Sequence, residues 1–208
     1  MINNSNRNAK APVTALKHAL DLCYALRVKE AEKSLTQIIL ESPSEYDAYS
    51  ALALIKLMQG LPDQQLNILE EVLSRNPEHY PSLHQLAVAN YRAGKLGEAC
   101  SFIERALRIK PDSEASLLLA AQLNLDLGRS EEACKLAERV LQSNNGWHWQ
   151  AFHLFSQALI QGNDPGVLCQ QLIETITTGR GDEVTLNAAR QLINSQRIED
   201  HHIRLCEK

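Results

Sequence analysis

Histidine, cysteine and acidic side chains are the groups in this chain that could hold a metal, attack a carbonyl or move a proton, and their spacing is the first test of function. The seven histidines are His18, His79, His84, His148, His153, His201 and His202. No two stand at i, i+4, the spacing that sets two imidazoles on one helical face for a metal. His148 and His153 lie roughly 140° apart around a helix, and His201 and His202 are adjacent and point apart. The five cysteines, Cys23, Cys100, Cys134, Cys169 and Cys206, include no CxxC pair. They match neither a zinc nor a disulfide framework and read as buried reduced thiols. Gly94-Lys95 lacks the earlier glycine, the following Ser or Thr and the preceding strand of a phosphate loop. No Gly-x-Ser-x-Gly elbow is present. The expectation is a chain that is not an enzyme, with no catalytic residues, no metal and no cofactor.

Bulk composition narrows the class further. The chain has 208 residues, of which 44% are apolar and only 5% aromatic. That is enough apolar material for a core, and its dominance by Ala and Leu favours close helix packing over a β-sandwich. Net charge is −4 and no run of Lys and Arg exceeds two. Nucleic acid is therefore excluded as a partner, since phosphate neutralisation needs a basic excess. No stretch of about 18 apolar residues exists, so no membrane insertion is expected. The polar start, residues 1–11, reads as a flexible tail without a signal peptide, which makes the cytoplasm the expected location.

Periodicity supplies the elements that must position any site. Proline recurs at Pro43, Pro77 and Pro111, and glycine at Gly60, Gly94, Gly128 and Gly162, both at steps of 34 residues. Seven residues before each glycine stand Ala53, Ala87, Ala121 and the larger Phe155. Five after it come Gln65, Ala99, Ala133 and Val167. An earlier unit keeps the frame with Ala19, Leu26 in the glycine slot, Ala31, Ile38 and Pro43. Each unit reads as two helices. The glycine ends the first by turning left-handed. The second starts two or three residues on, at Leu96 or Ser130 for example, and stops near the proline. A single helix pair cannot bury its apolar faces, so neighbours must stack.

Residues 80–113 carry the pattern most clearly, with Leu83, Leu86, Ala87, Gly94, Ala99, Ile103, Ala106 and Pro111 in large, large, small, glycine, alanine, large, alanine and proline slots. Gly94 to Ala99 and Gly128 to Ala133 are turn signatures of the same kind. The pattern resembles the tetratricopeptide repeat family. The resemblance covers 12–179 as five repeats, at about 12–45, 46–79, 80–113, 114–147 and 148–181, and is weakest in the first and fifth. It implies an all-α, right-handed superhelical solenoid of antiparallel helix pairs. Residues 182–208 then read as a capping helix pair, because Val184, Leu186, Ala189, Leu192 and Ile193 suit a helix with one buried face.

In that family the first helices of the repeats line a concave groove. Counting back from the glycine slot places Tyr24, Leu54, Leu57, His84, Val88, Tyr91, Arg92, Gln122, Leu125, Trp149, Phe152 and Ser156 on it. This set is more apolar than a solvated surface, which points to binding. The resemblance implies a protein-interaction adaptor or scaffold that takes an apolar or amphipathic peptide segment of another protein. Two alternatives remain open: a substrate-recruiting subunit of a protein-modifying enzyme, and a cytoplasmic secretion or assembly chaperone. A carboxylate clamp is not expected, because Arg92 is the one clear cation in the matching slots. Homodimerisation across a two-fold axis is compatible with an uncapped end.

Overall fold

The computed structural model describes residues 10–143 and 148–162. The second helix of the fifth repeat and the capping pair at 182–208 lie outside the described residues. The chain divides into two compact units, Met1–Ala93 and Gly94–Lys208.

The first unit holds α1 (Lys10–Tyr24), α2 (Val28–Glu41), α3 (Tyr46–Met58), α4 (Pro62–Arg75) and α5 (Tyr80–Arg92). The first helix thus begins two residues inside the expected tail, with Pro12 in its opening turn, where the missing N–H costs nothing. α3 lies against α2 and α4 and only touches α1 and α5. The odd-numbered helices therefore form one layer and α2 and α4 the other. Ala19, Ala31, Ala48 and Ala51 let the backbones approach, while Leu22, Leu35, Ile38 and Ile55 fill the space between. Burying one such Leu or Ile side chain contributes about 1.5–3 kcal/mol. Polar ties reinforce the layers. The Glu32 carboxylate on α2 accepts hydrogen bonds from Lys56 and Gln59 at the end of α3. Gln85 Nε2 on α5 donates to the Ser50 carbonyl on α3 at 3.1 Å.

The second unit holds α6 (Leu96–Ile109), α7 (Glu114–Asp126), α8 (Ser130–Gln142) and α9 (Trp149–Gln161). Here α7 packs on α6 and α8, and α9 packs on both α7 and α8. Ala121, Ala133, Ala137, Ala151 and Ala158 are all fully buried, with Leu117, Leu154, Phe152 and Phe155 between them.

The helix boundaries follow the repeat frame. Gly60, Gly94 and Gly128 take φ of 76°, 73° and 73°. Leu26, which stands in the glycine slot of the first repeat, is forced into the same region at φ 57°. The hydrogen bonds show why. Leu61 N–H reaches back to Lys56 O at 2.9 Å, Arg129 N–H to Asn124 O at 2.7 Å, and Arg27 N–H to Leu22 O at 3.0 Å. Each is the six-to-one bond of a helix that ends on a left-handed residue, so the motif is preserved even where the sequence supplies a leucine.

One face of α1 departs from its counterparts. Thr14, His18 and Asp21 are exposed, whereas the equivalent positions of α3 (Ala48, Leu52, Ile55) and α5 (Ser82, Leu86, Ala89) are buried or half-buried. α1 thus presents polar residues where α3 and α5 present small or apolar ones.

Candidate functional site

In the first unit, the residues expected on the groove occupy equivalent positions of α1, α3 and α5. Tyr24 at the end of α1 is 85% exposed, and Leu54 and Met58 on α3 are 45% and 48% exposed. Leu57, His84, Val88 and Tyr91 are half-buried, and Arg92 is exposed. Tyr80 stacks on His84 with ring centroids 6.1 Å apart. Burial holds the His84 imidazole below its usual basicity, so the neutral ring is the favoured form. The face is a run of partly covered apolar side chains with a cation at one end.

The inner positions of the second unit have a different fate. Leu125 is 7%, Phe152 1% and Ser156 0% exposed. These three were expected on an open groove and are instead packed inside. The reason is the close contact of α7 with α9. α7 buries Leu117, Leu118, Ala120, Ala121, Leu123 and Leu125, an apolar face too broad for one neighbouring helix to cover. Gln161 Nε2 of α9 donates to the Leu125 carbonyl at 3.2 Å, fastening the two. Gln122 is half-buried and its amide donates to Asp126 on the next turn at 2.9 Å. The backbone of Trp149 opens α9, and its side chain lies outside the described residues.

A group of chemistry-bearing residues that spacing did not reveal sits at the start of α5. His79 Nε2 lies 3.1 Å from Asp47 Oδ1, and Nδ1 lies 2.9 Å from Ser82 Oγ. Because a carboxylate can only accept, Nε2–H donates to Asp47. The order Asp, His, Ser is that of a hydrolytic triad, but Ser82 is 0% exposed and no carbonyl can approach its oxygen in this conformation. The group is a joint between α3 and α5. A second joint of the same design occurs in the other unit. His148 Nδ1 accepts the Ala151 N–H at 3.2 Å at the start of α9, and Nε2 reaches Glu114 Oε1 on α7 at 2.9 Å. The partners stand 32 residues apart in the first joint, too far for a local motif. Among the described residues no group of three or more His, Cys, Asp or Glu is placed to hold a metal. Cys23, Cys100 and Cys134 form no disulfide among the described residues, and burial pushes the thiols of Cys23 and Cys100 up. No helix among them is long and apolar enough to cross a membrane.

Comparison with known proteins bears on the fold. The family model of subunit 3 of the anaphase-promoting complex, or cyclosome, matches residues 58–140. No curated protein matches the sequence. Among solved structures, the pilF protein of Pseudomonas aeruginosa is similar with a TM-score of 0.73 at 15% identity, over 92% of this chain and 87% of that one. A tetratricopeptide repeat protein of Parabacteroides merdae matches with a TM-score of 0.68 at 16% identity, over 88% and 73% of the two chains. A thermophilic repeat protein of the same kind from Thermus thermophilus matches with a TM-score of 0.60 at 18% identity, over 88% and 98%.

Proposed function

The chain is a tetratricopeptide-like repeat protein, and from that premise we propose that it is a non-catalytic adaptor that holds an apolar or amphipathic segment of another protein against α1, α3 and α5. Domains of this fold are generally protein-interaction modules, and catalysis is typically absent from them. The observation that carries the reading is the exposure of Leu54, Met58 and Tyr24 beside half-buried Leu57, Val88 and Tyr91. Leaving large apolar side chains in water forgoes about 1.5–3 kcal/mol each, and a contiguous group of them marks a contact surface. Tyr91 and Arg92 are the residue types that most often dominate such interfaces. His84, kept neutral, adds a flat ring without introducing charge into the face. In the second unit, taken by itself, Gln122 and Trp149 are the proposed partner contacts. Leu125, Phe152 and Ser156 serve there as the packing beneath.

The test is capture from lysate of the native host, with wild type beside a Leu54→Asp, Tyr91→Ala double variant and an outer-face control, Lys33→Ala. A protein held by wild type and the control and lost by the double variant supports the reading. Its equal retention by all three moves binding away from this face.

A further inference from the structure

The edge where the first helix of a repeat turns into the second carries a surface that borders the adaptor face, sharing Tyr24 and Met58 with it and adding Leu26 and Leu61, which the adaptor reading does not use. In the first two repeats it exposes four large apolar side chains: Tyr24 at 85%, Leu26 at 72%, Met58 at 48% and Leu61 at 39%. The two turns lie side by side, since Glu32 just after the first turn accepts the Gln59 amide of the second at 2.6 Å. The patch ends there, because the corresponding end of α5 is Arg92-Ala93. Leu26 is the informative residue. It occupies a left-handed position where glycine would be relaxed, and its side chain is mostly in water. Neither local geometry nor the core accounts for a leucine there.

Charge says what covers the patch. Arg27 and Glu30 neutralise each other across the first turn. Lys29 and Asp63 are exposed and form no ion pair among the described residues. They are the same repeat position in successive repeats, 34 residues apart, as are Tyr24 and Met58. The edge therefore has no net charge to attract an anionic lipid surface or a strongly charged partner. It has opposite signs at its two ends instead. A two-fold axis passing between the turns exchanges those ends. Each Lys29 then meets Asp63 of a second copy, and each Tyr24 ring meets a Met58 thioether, a favourable pairing. An isologous interface requires this kind of self-complementarity. We propose that the chain forms a homodimer through the α1–α2 and α3–α4 turns, with Leu26 and Leu61 at its centre.

The interface is small, so the dimer is weak and reversible. Sedimentation velocity and light scattering of the full chain from about 1 µM to about 500 µM should show a concentration-dependent monomer–dimer equilibrium. Leu26→Gly relaxes the turn and keeps the fold, and should weaken the dimer about tenfold or more. Lys29→Asp or Asp63→Lys alone should each weaken it about tenfold, because both symmetric pairs become repulsive. The double charge reversal should restore wild-type association. A monomer across the whole range would overturn the proposal, as would a dimer indifferent to Leu26→Gly or a double reversal without recovery. So would a chain that stays monomeric yet binds phosphatidylserine–phosphatidylcholine vesicles through Leu26. Leu54→Asp leaves the dimer intact, so the two proposals fail separately.

Discussion

The inner faces of the two units use the same repeat positions and come out opposite. On α3, the residue six before the glycine is Leu54, nearly half in water; on α9 the residue at that position is Ser156, wholly buried. Ten before the glycine slot, α5 carries a half-buried His84 and α9 a fully buried Phe152. The difference lies in how neighbouring first helices meet. α3 only touches α1 and α5, whereas α7 and α9 pack along each other. The histidine joints are nevertheless of one design, Asp47–His79 in one unit and Glu114–His148 in the other. A histidine before a first helix thus makes a joint in each unit, although the two stand at different repeat positions, while the packing of the helices decides whether the face becomes a surface or a core.

The largest expected effect is at Phe152. Truncation to alanine in a fully buried position should cost about 3–5 kcal/mol in denaturant titration. A cost below about 1 kcal/mol would show that the second face is open after all. Next come the turns. Gly128→Ala, at φ 73°, should destabilise by about 1 kcal/mol, and Leu26→Gly should stabilise by about 0.5–1 kcal/mol. Equal signs for the two would mean that the first turn is not held left-handed.

Acid should act on the first unit in two windows. Burial lowers the His84 value below its ordinary 6.5, so the unfolded chain binds the proton more readily. The stability this contributes is complete above about pH 6.5 and is lost as pH falls through the lowered folded value. His84→Gln should flatten that part of the unfolding-midpoint profile. Hydrogen bonds from Lys56, then Gln59, hold the Glu32 carboxyl below 4.5; that stability is present above about pH 4.5 and is lost below it. Glu32→Gln should flatten this lower step. The smallest effect on stability is expected for Leu54→Asp. Its midpoint should move by less than about 0.5 kcal/mol, as for a surface change, although capture of a partner is lost. A loss like that of Phe152→Ala would erase the contrast between the two faces.

Much of the fold was legible because the repeat is punctuated locally. The starts of α6 at Leu96 and α8 at Ser130 follow from the glycine slots, and Leu26 could be placed in that slot by counting alone. The candidate face was only partly legible. Leu54 and Leu125 are both leucines in inner slots, and composition does not separate an exposed one from a buried one. The Asp47–His79–Ser82 chain was illegible, since His79 and Ser82 stand three residues apart at the start of α5 but Asp47 comes from another helix, 32 residues away.

By itself, then, the sequence determined the helix pairs, their turns and the small residues that let them close, because each depends on bonds within a few residues of chain. Only the tertiary structure decided which apolar positions face water, which histidines become joints and which turns expose leucine. Those outcomes depend on the distance between helices that are neighbours in space, and the strength of apolar burial depends on how completely a neighbour excludes water.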